Sequence, residues 1–200
     1  VGAPVVPDVT CEYNDKTGLF LGKAFDNRIG TALLASTMND LATEKLDVDV
    51  IAGLSSQEEV GDRGAEVVVR KIKPDLAIVF EGAPADDTVM PNYLIQSGLR
   101  KGPMLRDFDS TIVTNPHFQR FALDIATKNN IPVQRSVRTG GGQDGAIINR
   151  YNGAPTIVIS VPVRYAHTPY CFIAFEDYQN ALALAKKIIK ALNADVLEKF

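Results

Sequence analysis

The chain has 200 residues, 46% of them hydrophobic and 22% charged, which is typical of one globular domain with a buried core. Its 21 basic and 24 acidic side chains give a net charge of −3, which argues against binding to nucleic acid or to an anionic membrane surface. No apolar stretch reaches the ~18 residues of a membrane-spanning helix. The two cysteines, Cys11 and Cys171, fit no zinc-ribbon or redox spacing and suit a reducing cytoplasm.

The hydrophobic pattern predicts strands that alternate with helices. In chain order, it predicts strands at 5–12 and 19–21, a helix at 27–41, a strand at 48–54, a helix at 65–72, a strand at 76–80, a loop-rich segment at 82–103, a helix at 115–129, a strand at 133–137, a short helix at 146–149, a strand at 156–161 and a helix at 176–192. Buried apolar strands between helices predict an α/β fold with a mixed, largely parallel sheet flanked by helices. Residues 1–200 would form a single domain.

Unusual polar residues stand at the ends of several predicted strands. The segments that carry them are 24–28, 56–61, 80–82 and 163–169. In α/β sheets, functional loops gather at the carboxyl ends of the strands. We therefore expect these segments to form one site.

Adjacent acids, Glu58 and Glu59, follow the predicted strand 48–54. Neighbouring side chains at such a turn point in different directions, so Glu59 could bind a metal ion while Glu58 accepts a proton from water. The alternative is a solvated helix start, because acids are favoured in the first turn of a helix.

Two further acids lie beside predicted strands. Asp26 stands between a short strand and a helix, where it could bridge two metal ions or simply cap the helix. Glu81 directly follows the apolar run 76–80, and a carboxylate there must be exposed, paired or metal-bound because burying it alone is costly.

The chain has two histidines, His117 and His167. His117 stands at a helix start and is interpreted as an ordinary packed or surface residue. His167 lies in a loop after the most strand-like run, where it is either packed, exposed or a metal ligand. Carboxylates combined with an imidazole suit zinc, manganese or cobalt better than calcium.

Four segments, taken together and in order, resemble a known family. Residues 22–30 (GKAFDNRIG) resemble GKALDNRxG, and residues 57–65 (QEEVGDRGA) resemble QEEVGxRGA of the glutamyl/deblocking aminopeptidases. Residues 140–147 (GGGQDGAI) are similar to GGGTDAGAI with some divergence, and residues 159–169 (ISVPVRYAHTP) to ISIPTRYIHSP. Members of this family form tetrahedral particles, and some relatives carry the label endoglucanase.

The resemblance implies a role for each candidate residue. Asp26 would bridge two divalent metal ions, and the peptide bond that follows it would be cis. Glu59 and His167 would complete one metal site, and Glu81 would bind the other ion. Glu58 would be the general base. Zinc or cobalt would be the expected metal, with manganese possible.

The same resemblance implies that an N-terminal segment is absent. The family has a His-x-Asp motif and an inserted β-domain before the Asp-Asn-Arg segment, whereas this sequence has no histidine before His117. Residues 1–12 would then be the tail of the inserted domain. The full-length protein would be a cytoplasmic homo-oligomer that acts on peptides and binds neither nucleic acid nor membranes.

The leading hypothesis is a metallo-aminopeptidase that hydrolyses N-terminal residues with two metal ions and Glu58 as base. A related metal-dependent amidohydrolase, such as a deacylase, would use the same metal chemistry. An inactive or assembly subunit is a third hypothesis, favoured by the absent histidine. An endoglucanase is a minor one, since glycoside hydrolysis needs two carboxylates that flank a sugar bond.

Overall fold

The computed structural model describes residues 2–200 as two sheets packed with helices. The strands are β1 (Glu12–Asn14), β2 (Leu19–Gly22), β3 (Ala77–Pro84), β4 (Met104–Phe108), β5 (Gln134–Val137), β6 (Thr156–Val163) and β7 (Cys171–Ala174). The helices are α1 (Phe25–Leu41), α2 (Arg63–Ile72), α3 (Pro116–Lys128), α4 (Gly145–Asn152), α5 (Phe175–Ala191) and the short α6 (Ala194–Leu197). Two single turns of 3-10 helix cover Glu58–Val60 and Asn92–Leu94.

The larger sheet has four strands in the order β3-β6-β4-β5. β3 and β6 are parallel along their whole length, with Glu81 opposite Ser160. β4 runs antiparallel to β6 and parallel to β5. The predicted fold class, a mixed sheet flanked by helices, is therefore confirmed.

β6 lies at the centre of the hydrophobic core, because all eight of its residues are buried. Its side chains Ile157, Ile159 and Val161 are fully buried, and they belong to one cluster with residues of α1, α3 and α5. Burying each such aliphatic side chain stabilises the fold by about 1.5–3 kcal/mol. This core anchors the loop that leaves β6 and carries His167.

The smaller sheet is an antiparallel arrangement of β1, β2 and β7. The strand prediction at 5–12 is wrong, because regular pairing begins only at Glu12. β7 and β4 were not predicted. Both are short, and their apolar residues do not alternate in a way that separates them from the surrounding loops.

The strand predicted at 48–54 is also absent. Its apolar side chains are exposed, with 62% of Ile51 and 67% of Leu54 accessible to solvent. No neighbouring strand among residues 2–200 pairs with this segment. An apolar, β-branched run becomes a strand only where a partner satisfies its backbone hydrogen bonds.

Other elements begin or end a few residues from their predicted bounds, and one of these differences matters for the site. β3 extends to Pro84, so Glu81 lies inside the strand and not after its end. Within the described part of the chain, none of the helices is both long and apolar enough to span a membrane.

Candidate metal centre

Asp26 lies in an irregular first turn of α1. Asp26 (φ −83°, ψ 108°) and Asn27 (φ −119°, ψ 43°) have non-helical backbone angles, and the peptide bond between them is cis. Asn27 Oδ1 accepts a hydrogen bond from the amide of Gly30, whereas Asp26 bonds His167, so Asn27 and not Asp26 caps the regular part of this helix. The irregular turn leaves the Asp26 carboxylate free to bind other groups.

Asn27 and two glycines hold this turn against β3. The Asn27 side chain donates from Nδ2 to the carbonyl oxygen of Phe80 (2.9 Å) and accepts at Oδ1 from the amide of Gly30 (3.0 Å). A Cβ atom at Gly82 would lie 2.7 Å from the carbonyl oxygen of Phe25, so only glycine permits this approach. As a result, the backbone of Asp26 lies against the part of β3 that follows Glu81.

Glu58 and Glu59 form the first part of a 3-10 turn, between Gln57 with a positive φ of 62° and Gly61. The amide of Gly64 donates to the carbonyl oxygen of Ser56 (2.8 Å), and a Cβ at Gly64 would lie 2.2 Å from that oxygen. This close approach sets the path of the turn. Glu58 is half-buried and Glu59 is exposed.

His167 projects from the loop that connects β6 to β7, in a left-handed conformation with φ of 64°. Its Nε2 atom lies 2.8 Å from Oδ2 of Asp26 and 3.9 Å from Oε1 of Glu59. Each of these three residues offers one ligand atom, and all three atoms lie within 4.8 Å of one another. Three segments far apart in sequence thus present their donor atoms to one point.

Glu81 is adjacent to this group but is not one of its three members. Its carboxylate is 8% exposed and accepts one hydrogen bond, from the amide of Gly82 to Oε1 (2.9 Å). Burial, followed by the negative charge of Asp26, raises the pKa of Glu81 to about 8.

Glu58 and Asp26 are also harder to ionise than usual. Burial, followed by the negative charges of Asp62 and Glu59, raises the pKa of Glu58 to about 7. Burial also raises the pKa of Asp26, against the opposite effect of its hydrogen bond to His167. Negative charge is therefore concentrated here at a free-energy cost.

No lysine or arginine of residues 2–200 forms an ion pair with Asp26, Glu58, Glu59 or Glu81. Buried carboxylates are normally paired with a cation or bound to a metal. Carboxylate oxygens with one imidazole nitrogen are donors that suit zinc, manganese or cobalt. The residues present therefore fit a divalent metal ion.

The sequence reasoning missed Ser55, Asp62 and Asp144, which surround Glu58. Ser55 Oγ donates a hydrogen bond to Oδ2 of Asp144, and the negative charge of Asp62 contributes to the raised pKa of Glu58. Burial raises the pKa of Asp144. Asp144 closely follows the glycine turn 140–142, which could have marked it as a candidate site residue. Only the fold shows that Asp144 lies near the turn that contains Glu58.

A cavity of about 950 Å³ opens beside Asp26, Glu59 and His167. Apolar side chains form much of its wall, including Val9, Phe20, Phe25, Ile29, Phe175 and Tyr178. Ligand sites are commonly concave and mostly apolar, with a few polar groups at one end. The cavity therefore provides space for a ligand next to the candidate metal ligands.

Comparison with known proteins gives consistent matches. The chain is 31% identical over 194 residues to the glutamyl aminopeptidase of Lactococcus lactis, which covers 97% of this chain and 54% of that protein. It superposes on the TET aminopeptidase from a marine sediment archaeon, Thaumarchaeota archaeon SCGC AB-539-E09, with a TM-score of 0.90 and 31% identity, covering 96% of this chain and 55% of the other. For PhTET1-12s, solved as a dodecamer, the TM-score is 0.81 with 25% identity, and the coverage is 92% and 54%.

The chain thus spans about half the length of the curated relatives that it matches. The sequence model of the M42 glutamyl aminopeptidases matches residues 1–184, which is most of the chain. The resemblance inferred from the four segments is confirmed, and the chain belongs to the M42 glutamyl aminopeptidase family.

Proposed function

We propose that the protein is a metal-dependent aminopeptidase that removes N-terminal residues from peptides. The observation that carries the proposal is the convergence of Asp26, Glu59 and His167, within 4.8 Å of one another and without a lysine or arginine partner in the described chain. Membership of an aminopeptidase family supports the same reaction class.

The proposed ligands divide between two divalent cations. Asp26, Glu59 and His167 would hold one cation, and Asp26 together with Glu81 would contribute to the second, for which zinc or cobalt is the expected metal. When bound, such ions supply positive charge that polarises the scissile carbonyl and stabilises the negative charge of the transition state.

Glu58 would act as the general base. It precedes the ligand Glu59 and is half-buried at the edge of the site. Its carboxylate would take a proton from water as the water oxygen attacks the carbonyl carbon of the first peptide bond. When the C–N bond breaks, Glu58 would give that proton to the leaving amine. The neighbouring cavity would accommodate part of the peptide.

The test is a direct assay with added zinc or cobalt. Aminoacyl-p-nitroanilides should release nitroaniline, and removal of the metal with a chelator should stop the reaction. Hydrolysis of N-acyl amino acids alone would show a deacylase instead, and cleavage of β-glucan alone would show an endoglucanase. Metal binding without any hydrolysis would favour a non-catalytic subunit.

We further propose homo-oligomeric assembly and a cytoplasmic location for the full-length protein. A relative with 25% identity was solved as a dodecamer, which supports assembly. Light scattering would measure the mass of the particle.

A further inference from the structure

Two adjacent acids follow β3 and pair with two different arginines. Asp86 Oδ2 accepts a hydrogen bond from Arg138 Nη1 at 2.8 Å, and Asp87 Oδ2 accepts one from Arg164 Nη2 at 2.7 Å. Both acids are largely buried, with side-chain exposures of 7% and 11%. The two acids are therefore similarly buried, but their arginines connect them to different parts of the chain.

The Asp87–Arg164 pair is bidentate. Arg164 also donates from Nε to Oδ1 of Asp87 at 2.8 Å, so the planar guanidinium has one orientation. Asp87 is itself held by the backbone amide of Leu99 at 3.0 Å. The hydrogen bonds to Asp87, and then its negative charge, raise the pKa of Arg164.

Arg164 stands at the base of the loop that carries His167. Its amide donates to the carbonyl oxygen of Phe172 (2.9 Å), and the amide of Phe172 donates back to the carbonyl oxygen of Arg164 (3.1 Å). These two hydrogen bonds close the loop 164–172. The Arg164 backbone thus defines where the loop leaves the sheet.

The interior of this loop is tied together at one carbonyl group. The oxygen of Tyr165 accepts hydrogen bonds from Thr168 Oγ1 (2.7 Å), the Thr168 amide (3.2 Å) and Cys171 Sγ (3.3 Å). The two bonds from Thr168 close a turn over residues 165–168, which contains His167. The orientation of its base is therefore transmitted to His167.

We propose that Asp87 and Arg164 are positioning residues that hold the His167 imidazole at the metal centre. The pair joins Asp87, which follows the strand that contains Glu81, to Arg164, which begins the loop that carries His167. It thereby fixes the relative position of candidate ligands from two strands. The inference rests on the proposed metal site, because it needs His167 to bind the ion.

The experiment compares Arg164→Lys with Arg138→Lys. Each variant keeps its positive charge and loses the planar fork, but only Arg164 adjoins the His167 loop. Zinc and cobalt titrations of the whole chain by isothermal calorimetry measure the dissociation constant. Arg164→Lys should weaken binding by about 10-fold, the lower end of the effect of losing a group that bonds a metal ligand directly, because Arg164 acts on His167 through the loop backbone. Arg138→Lys should change the dissociation constant by less than about 3-fold.

A double-mutant cycle with His167→Ala separates positioning from general loss of structure. In the His167→Ala background, Arg164→Lys should have no further effect on the dissociation constant. Asp87→Asn provides the same comparison from the other partner and serves if Arg164→Lys does not fold.

Equal affinities of the wild type, Arg164→Lys and Asp87→Asn would overturn the inference while leaving the proposed function intact. The same is true if Arg164→Lys weakens binding equally with and without His167. No metal binding by the wild type would overturn the proposed function and this inference together.

Discussion

Glu81 and Asp86 lie five residues apart and are almost equally buried, with exposures of 8% and 5%, but their surroundings differ completely. Asp86 pairs with Arg138 and accepts hydrogen bonds from the amides of Gln96 and Ser97. Glu81 accepts one hydrogen bond, from the amide of Gly82, and pairs with no arginine or lysine of the described chain.

The difference shows that this fold can neutralise buried acids with arginine side chains. Next to Asp86 and Asp87, two arginines balance two carboxylates. Next to Glu81, the neighbouring charge comes from Asp26 and is of the same sign. A buried acid without a cationic partner is unfavourable, so its presence near Asp26 supports a role in binding an external cation.

The largest expected effect distinguishes Glu58 from the ligand acids. Glu58→Gln removes the proposed proton acceptor and keeps the side-chain shape, so kcat on an aminoacyl-p-nitroanilide should fall about 10²–10⁴-fold. Metal content, measured by mass spectrometry, should stay close to that of the wild type. If metal and activity disappear in parallel, Glu58 is a ligand and not a base.

The next prediction compares the free energies of unfolding of variants at Asp86, which pairs with an arginine, and at Glu81, which does not. Asp86→Asn leaves Arg138 without its carboxylate and should lower the free energy of unfolding by about 3–5 kcal/mol. Glu81→Gln loses no cation partner and should change that free energy by less than about 1 kcal/mol in metal-free buffer. Urea denaturation with a chelator present measures both, and a larger loss for Glu81→Gln would contradict the proposed distinction.

The third prediction concerns the stabilisation of the folded protein by added zinc or cobalt. Zinc or cobalt at about 100 times its dissociation constant should stabilise the wild-type protein by about 2.7 kcal/mol. His167→Ala should remove most of this stabilisation, whereas the control His117→Ala should retain it, because His117 is exposed at the start of α3. Calorimetric unfolding with and without metal gives the comparison. Equal stabilisation of both variants would place the cation elsewhere.

The smallest effect concerns Asp177, a buried acid that is held by amides alone. It accepts hydrogen bonds from the amides of Arg100 and Gly102, both at 2.7 Å, yet burial raises its pKa to about 6. Its contribution to stability is full below about pH 3.9, where the unfolded chain is also protonated, and is lost as the pH rises through 6.

Comparing the wild type with Asp177→Asn isolates that contribution. Asparagine does not titrate, so the variant lacks this pH dependence. The free energy of unfolding of the wild type should therefore rise relative to that of the variant, by about 1 kcal/mol, on acidification from pH 7 to 5. Asp124→Asn, at an exposed position of α3, is the matched control. A pH-independent difference would show that the Asp177 pKa is not raised.

The sequence predicted the parts of the fold that depend on local pattern. β6, with eight buried residues, and the amphipathic helix α5 are recognisable from their local hydrophobic pattern. The strand expected at 48–54 failed because its existence depends on a partner, and β7 was missed because its pairing with β2 is non-local. Pattern identifies segments that can form strands, and pairing decides which of them do.

The candidate site was predictable as a set of residues but not as a geometry. Asp26, Glu59, Glu81 and His167 were selected from their places near strands and from the resemblance, and their assignment as ligands stays a prediction. The contacts that surround these residues could not be predicted from the sequence. Arg164 meets Asp87 across 77 positions of sequence, and Ser55 meets Asp144 across 89. Such contacts depend on how β3, β6 and α4 pack.

Gly82 has a consequence for how this protein could change during evolution. There is no room for one methyl group between β3 and the first turn of α1, so the spacing of the two backbones depends on a missing side chain. A larger residue could be accepted only if the whole helix, with Leu33 in the core, shifted as well. A substitution at position 82 would therefore need compensating changes in how α1 packs, although neither Gly82 nor Leu33 is one of the candidate site residues.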